Sequence, residues 1–527
     1  MNVTSRSLVF VAVCVVLFVA PVVPAQNEQA QLIADDASPA NLFGRAVAVS
    51  GETAVVGSLN SDPGPSESGS VYVFVRSGTS WSQQAKLMAD DATVGDLFGN
   101  AVAIDGDTLV VGAWADDNAG GMNAGSVYVF VRSGTVWSQQ AKLISDDGAP
   151  SDLFGGSVSV SGDTLLVGVQ SDDDAGGGSG SAYVFVRSGT NWSQQAKLTA
   201  DDAAAVDLFG EAVSLSGDTA LIGSHKDDDL GVDSGSAYVF VRSGTSWMQQ
   251  AKLLPSDGAA GHHFAEAVAM HGETAVVGSV HISNDAGAAY VYVRSGTSWS
   301  QEAKLTANDP SDLDLFGFAV AFEEQTAVIG SWLDDDLGIN SGSAYVFVRN
   351  GTSWALERKI IASNGSLLDQ FGIMVAVSAG SAVIGAHQND QSGNNSGLAY
   401  VFDVSYWSDL GGGTTGINGQ PSLLVYGPLS AGSEISIELT QAPSGALMLF
   451  RASLASSPVF AVGGTLYPQP FDLQTLLVAD AGGSFSLTAP VAPGLPVGQE
   501  FFFQFIVQDL SVAHTITLSN ARMSTSP

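Results

Sequence analysis

LFGNAVAIDGDTLVVG at residues 97–112, followed by GSVYVFVRSG at 125–134, decides the fold of this chain. Phe98-Gly99 opens a short strand of small residues, Gly106-Asp107-Thr108 turns it back, and a second strand ends on Val111-Gly112. An Asp- and Gly-rich loop leads to an aromatic strand closed by Arg132-Ser133-Gly134. The unit recurs seven times. Its opening Phe is Phe43, Phe98, Phe154, Phe209, Phe264, Phe316 and Phe371, at spacings of 55, 56, 55, 55, 52 and 55. A fixed period of this length marks one supersecondary unit copied around an axis or along a rod.

Each unit reads as four strands, in the second copy Ala101 to Ile104, Leu109 to Gly112, Val127 to Val131 and about Val136 to Leu143. Runs of β-branched and aromatic residues bounded by Gly, Ser and Asp are strand signals, and no helical period is sustained. Strands apolar on both faces imply sheets covered on both sides, as when blades stack around an axis. The seventh unit stops after its third strand, Leu398 to Phe402, while Gln29 to Ala34 matches the Gln-Gln-Ala-Lys-Leu strand of the other copies. The N-terminal strand is therefore expected to complete the last blade and leave no open edge. A rod would not need this permutation. The expectation is an all-β, seven-bladed β-propeller over residues 26–407.

The chain begins like an exported protein. Arg6 precedes the almost wholly apolar run Leu8 to Val23, and Val23-Pro24-Ala25 offers a cleavage site, so residues 1–25 read as a signal peptide. No later stretch is long enough to cross a bilayer as a helix. Val13 stands before Cys14, where a lipid-anchor signal has a small residue. Cleavage would remove the only cysteine, and with it any disulfide or thiol chemistry. It would also take Arg6 from the 18 basic residues and nothing from the 53 acidic ones, leaving 17 against 53. So acidic a chain repels nucleic acid and anionic membranes and attracts cations. Its 45% hydrophobic residues and 25 Phe exclude a disordered acidic tail.

Phe-Gly, then Val-Gly-Ala/Ser, then Ala-Tyr-Val-Phe resembles the FG-GAP repeat, found in the seven-bladed propeller of integrin α chains and in many secreted bacterial proteins. The resemblance covers roughly residues 27–404 and implies a role in adhesion or extracellular recognition. Integrin-type repeats often carry an Asp-x-Asp-x-Asp-Gly calcium loop between the first two strands. Here that connection is only Ser161-Gly162-Asp163-Thr164 or its equivalent, too short to wrap a cation, so the family's calcium site does not transfer.

In a four-stranded antiparallel blade the second–third and fourth–first loops share one face of the disc, and both are acidic. The former hold Asp116-Asp117-Asn118, Asp172-Asp173-Asp174, Asp227-Asp228-Asp229 and Asp334-Asp335-Asp336. The latter hold Asp35-Asp36, Asp90-Asp91, Asp146-Asp147 and Asp201-Asp202, whereas Arg76, Arg132, Arg187, Arg242, Arg294 and Arg349 fall on the opposite face. Three readings stand open for the acidic loops: solvated turns, Ca²⁺ sites, since Asp-Asp-Asp-x-Gly-x-x-Ser can supply several oxygens, or a docking face for a basic partner or polymer. His225, His262, His263 and His281 map to the same face, where imidazoles near carboxylates can bind Zn²⁺ or Cu²⁺ or serve as ordinary surface residues. Blade five departs most from the repeat, with Ala265 in place of Gly.

After Trp407 the composition changes. Residues 408–420 read as a Gly/Thr-rich linker, and 421–527 as a small β-sandwich of short strands with few charges. It faintly resembles C-terminal modules of secreted bacterial repeat proteins with roles in sorting, anchoring or adhesion. The chain has no Gly-x-Ser-x-Gly, no His-Glu-x-x-His and no phosphate-cradling Gly loop, and near-identical blades suit a repeated surface better than one catalytic centre. The expectation is a secreted, non-enzymatic recognition, adhesion or scaffold protein, with an extracellular protein or polysaccharide as partner. The alternatives are a calcium-dependent carbohydrate or matrix binder and a structural component of the cell envelope.

Overall fold

The computed structural model describes residues 28–61, 67–78 and 80–404 with their side chains, and beyond them only the strands between 408 and 525. Seven four-stranded antiparallel sheets follow one another along the chain, at 43–87, 101–143, 157–198, 213–253, 264–305, 319–360 and 375–403. We number these blades 1 to 7 and their strands from first, at the axis, to fourth, at the rim. The first strands touch their neighbours in a closed circuit, blade 7 against blade 1 included. The sheets form a ring.

The seventh blade lacks a fourth strand of its own. Glu28–Leu32 supplies it, pairing antiparallel with the third strand through Ala30↔Val401, Gln31↔Tyr400 and Leu32↔Ala399. The expected closure by the N-terminal strand is present. Leu32 is buried beside Val383 and Val401, so hydrophobic packing as well as the hydrogen-bond ladder holds the two ends of the ring together.

The repeat motif is explained by the seams between blades. Phe98 is fully buried and meets Tyr128 and Phe130 edge-on, with ring centroids 5.5 and 6.0 Å away. Each such pair is worth about 0.5–1.5 kcal/mol beyond simple burial. The Phe98 amide donates to Ser68 O of blade 1, so one residue wedges two blades together. Gly99 has φ +93° and donates its N–H to Gly112 O within blade 2. Its own carbonyl faces Gly57, where a Cβ would stand only 2.1 Å from it. The pairing Gly57/Gly99 recurs as Gly112/Gly155, Gly168/Gly210, Gly278/Gly317, Gly330/Gly372 and, across the closure, Gly385/Gly44. The Val-Gly glycine is thus required by the close backbone approach and the Phe-Gly glycine by its left-handed φ and by Ser70 O, 2.8 Å from where its Cβ would stand; only the blade 4–5 seam departs, with Ala265 against Gly223.

On the turn side of the disc, Arg132 Nε donates to Asp107 Oδ1 at 2.6 Å and Nη1 to Thr53 Oγ1 of the preceding blade at 2.9 Å, while the guanidinium covers Trp137. The equivalent arginines repeat this contact, so the expected arginine face is a set of inter-blade staples with acidic partners.

The signal peptide expected at 1–25 lies outside the described residues. Beyond the propeller, Glu434–Thr440, Leu447–Ser453, Leu473–Val478, Glu500–Asp509 and Thr515–Leu518 are strands, as expected, and Ser408–Gly411 pairs with Ala521–Thr525. These strands fall into antiparallel sheets. The rest of the expected linker and β-sandwich lies outside the described residues.

Two outcomes test this account. A chain starting at Asp35 lacks the closing strand and exposes the third strand of blade 7, so it should melt at least 10 °C lower, roughly, and elute as oligomers in gel filtration. Gly278→Ala places a Cβ 1.9 Å from Gly317 O and should cost about 3 kcal/mol, whereas Gly162→Ala, at φ +56° with nothing within 4 Å, should cost about 1 kcal/mol of backbone strain. Urea denaturation of both variants measures the difference.

Candidate functional site

The acidic loops are built around a lysine. In blade 4 the Lys252 ammonium lies 2.8 Å from Asp202, 3.0 Å from Asp227 and 2.5 Å from Asp229. The Tyr238 hydroxyl, directly across the strand pair from Lys252, lies 2.7 Å from Asp227 and 3.0 Å from Asp202. Ser236 Oγ donates to Asp227 as well. Burial alone would raise the Asp227 carboxyl, but the hydrogen bonds from Tyr238, Lys252 and Ser236 hold it below its ordinary value. The Lys252 ammonium, which burial alone would weaken, is raised by the same carboxylates.

The other acidic blades repeat the arrangement. Lys197 gathers Asp147, Asp172 and Asp174, and Lys359 gathers Asp309, Asp334 and Asp336. Lys142 takes Asp91 and Asp116. Asp117, Asp173, Asp228 and Asp335 have a different duty: each accepts a backbone N–H five or six residues on and folds its own loop. The candidate calcium residues Asp116, Asp117, Asp172, Asp173, Asp174, Asp227, Asp228, Asp229, Asp334, Asp335 and Asp336 are all so engaged. The carboxylates of Asp202, Asp227 and Asp229 do come within 4.8 Å of one another, close enough to share an ion. In this structure the cation they share is Lys252.

Blade 7 shows that the acids and the lysine belong together. Its rim strand is Glu28–Leu32, which has Gln31 where the other rim strands have lysine. The three surrounding positions are Asn364, Asn389 and Gln391 in place of Asp309, Asp334 and Asp336. The network persists in neutral form: Tyr400 donates to Asn364 Oδ1 at 2.6 Å, and Gln31 Nε2 donates to the same oxygen at 3.3 Å. Where the ammonium is lost, so are the carboxylates. With one ammonium for two or three carboxylates, blades 2, 3, 4 and 6 leave this face net negative.

A second, asymmetric cluster lies at the axis. His225, His263 and Glu266 bring their ligand atoms within 4.8 Å of one another. His225 Nδ1 is 3.1 Å from Glu211 Oε2, and His263 Nδ1 is 3.6 Å from Glu266 Oε2. The His263 ring stands 5.2 Å from that of His225 and 4.6 Å, edge-on, from that of His281, which is held by Asp285 at 2.9 Å. Of the four histidines expected on this face, these three converge, and His262 stands outside their ring contacts.

Burial alone would lower His225, but Glu211, then Glu266, raise it above the ordinary histidine value. Burial alone would raise Glu266, and the facing imidazoles hold it down. His387, in the same repeat position as His225, is pushed down to about 4 by burial and by Arg45. Glu211 and Glu266 line a cavity of about 370 Å³ along the axis, walled by first-strand residues of all seven blades.

With the fold and these clusters described, comparison with protein-family models gives one match: the FG-GAP repeat, at 27–74, 81–130, 137–185, 192–240, 247–292, 299–347 and 354–402. This chain belongs to the FG-GAP repeat family. No curated protein matches it. Each FG-GAP segment runs from the fourth strand of one blade through the third strand of the next. The family repeat is therefore offset by one strand from the blade, and the first FG-GAP segment begins with the strand that completes blade 7.

Sequence reasoning missed two residue sets in this FG-GAP propeller. The lysines sit about 25 residues from their acids, in a strand read only for its pattern. Glu211 and Glu266 follow the Phe-Gly position, where the copies hold Arg45, Asn100, Gly156, Phe318 and Ile373 instead. Column-by-column alignment of the repeats would have exposed both.

The lysine account predicts a gain of function. Lys252→Met leaves three carboxylates facing one another and should cost about 2 kcal/mol, the usual loss being reduced by partial exposure. Calcium should then raise the melting temperature of that variant and leave the wild type unmoved, as read by thermal melts in calcium and in chelator.

Proposed function

We propose that this FG-GAP protein is a secreted, non-enzymatic recognition or adhesion protein that engages a basic and apolar extracellular partner through the loop face of the propeller. One observation carries the reading. The exposed large hydrophobic side chains of the propeller, all but Val136 and Met248 among the described residues, lie in second–third or fourth–first loops, hence on that face. Val94, Met122, Val206, Val232, Leu313 and Ile339 are 55 to 70% exposed. Scattered apolar residues need no explanation, but a set gathered on one face marks an interaction surface.

The backbone beneath them is fixed rather than loose. Each second–third loop hydrogen-bonds the fourth–first loop leading into the next blade, as in Ser151 N to Met122 O, Gly261 N to Val232 O and Leu368 N to Ile339 O. Such a surface binds without a large ordering cost. The net negative clusters between the apolar side chains select a basic partner and speed its approach. Export by the N-terminal signal supplies the extracellular setting, and a C-terminal β-sandwich suits attachment or sorting. The lysine-filled clusters favour this reading over a calcium-dependent carbohydrate binder.

The test uses the exported chain without its signal, immobilised and probed with intact cell surfaces and with panels of matrix proteins and polysaccharides. Val232→Asp with Ile339→Asp should weaken binding at least tenfold, whereas Met248→Asp on the rim should not. Equal binding by both variants would sink the loop-face assignment. Turnover of a glycan or phosphoester panel would sink the non-enzymatic one.

A further inference from the structure

We propose that His225, His263 and Glu266 form a binding site for a divalent transition-metal ion of the Zn²⁺ class at the axis of the propeller, with Glu211 as an additional carboxylate beside His225. At the position of His263 the other blades hold Leu42, Leu97, Leu153, Leu208, Leu315 and Gln370. At that of His225 they hold Leu59, Trp114, Gln170, Val280, Trp332 and His387. His263 has departed from all its copies, while His225 and Glu266 each share their type with one copy, His387 and Glu211; together the three bring metal-ligating atoms to one point.

The polar atoms at that point are not satisfied within the protein. His225 is 5% exposed, yet its Nδ1, although 3.1 Å from Glu211, is not aligned for a hydrogen bond, and Glu266 Oε2 is a second buried atom without one. Buried polar atoms normally find partners, and these two, in one cluster, leave their lone pairs available to a bound ion. Among the described residues, Glu211 and Glu266 have no lysine or arginine ion pair, only His225 and His263. Two neutral imidazoles and two carboxylates balance the charge of one divalent ion. Imidazole and carboxylate donors together suit Zn²⁺, Co²⁺ or Ni²⁺ rather than Ca²⁺, which takes oxygen alone.

The donor atoms already stand near coordinating distance of one another. Donors around a tetrahedral zinc lie roughly 3.4 Å apart for bonds of about 2.0–2.1 Å, so donors within 4.8 Å need only side-chain rotation to close. His263, at φ +48°, and Ala265, at φ +74°, hold left-handed backbone on either side of Phe264. That pins the chain on which both His263 and Glu266 are carried. The His281 ring, braced by Asp285, stands against His263 and restricts its orientation. Glu266 and Glu211 border the axial cavity, which supplies both an access path and room for a water or a small anionic ligand at an open coordination position.

The experiment is Co²⁺ titration of untagged, chelator-treated protein lacking the signal peptide, followed by visible absorption, with Zn²⁺ competition and calorimetry for stoichiometry. The expected result is one ion per chain, with d–d bands of a four- or five-coordinate nitrogen–oxygen site that Zn²⁺ abolishes. His263→Leu restores the residue that most other blades carry, so it should fold at least as well as the wild type while weakening binding at least a hundredfold. Glu266→Gln, nearly isosteric, should weaken it at least tenfold. Asp229→Asn, in the lysine cluster of blade 4, should leave it unchanged. Absence of saturable Co²⁺ and Zn²⁺ binding by the wild type would overturn the site, as would binding by His263→Leu and Glu266→Gln equal to the wild type. Neither result depends on the loop-face partner, so the two proposals stand or fall separately.

Discussion

The contact on which the rest of this propeller depends is the approach of two glycine backbones between adjacent blades. Gly57 and Gly99, like their five equivalents, come so close that a single methyl group on the first would collide with the carbonyl of the second. That distance sets how near the first strands lie to the axis. The buried phenylalanine one residue earlier fills the wider part of the same seam, against the aromatic third strand of its own blade. A blade is therefore a wedge, narrow where glycine stands and broad where Phe, Tyr and Trp stand. The error in each seam accumulates around the circle, so closure demands near-identical seams, and the Gly385/Gly44 contact is the place where the accumulated geometry must agree.

The charge of the chain follows a second repeated device. A protein with this excess of acid would repel itself if its carboxylates stood free on one face. Most of the paired acids are instead arranged around an ammonium carried on the fourth strand and positioned by the tyrosine beside it. The first aspartate of each triple is almost fully buried, which only a partner of opposite charge makes tolerable. Blade 7 satisfies the same geometry with amides. An amide network needs no counter-charge, so it suits the blade whose rim strand arrives from the distant N-terminus and has no lysine to offer.

Much of this was legible before any coordinates. The period gave the blades, and the missing fourth strand of the last copy, set against the unmatched strand read at Gln29 to Ala34, gave the closure, which the structure places at Glu28–Leu32. Strand boundaries were recovered closely because turns such as Gly106-Asp107 and Arg132-Ser133-Gly134 are sharp chemical punctuation. The partners of the aspartates were not recovered, because topology assigns loops to a face but says nothing about which side chain from a neighbouring strand reaches them. Register decides that. Lys142 stands opposite Tyr128 only because a bulge shifts the pairing between Val129 and Phe130. The axial cluster was half legible: His225, His263 and His281 were placed on a common face, while Glu266, on the inner strand, was hidden in a column where only Glu211 shares its type.

That last distinction separates the positions the ring fixes from those it leaves free to vary. Positions bound by the seam, such as Phe98, Gly99, Gly112 and Tyr128, cannot vary without opening the ring, and the copies hold them nearly constant. At the position after the Phe-Gly pair, which lines the axial cavity in most blades, the copies hold arginine, asparagine, glycine, glutamate, phenylalanine and isoleucine. A symmetric scaffold thus leaves room for chemical individuality where all seven blades meet. His225 and His387 illustrate what this achieves: two histidines at equivalent positions are driven in opposite directions, one upward by Glu211 and the other downward by burial and Arg45. Identity of the blades at the seams is what permits such difference at the axis, because the backbone that holds both residues is the same.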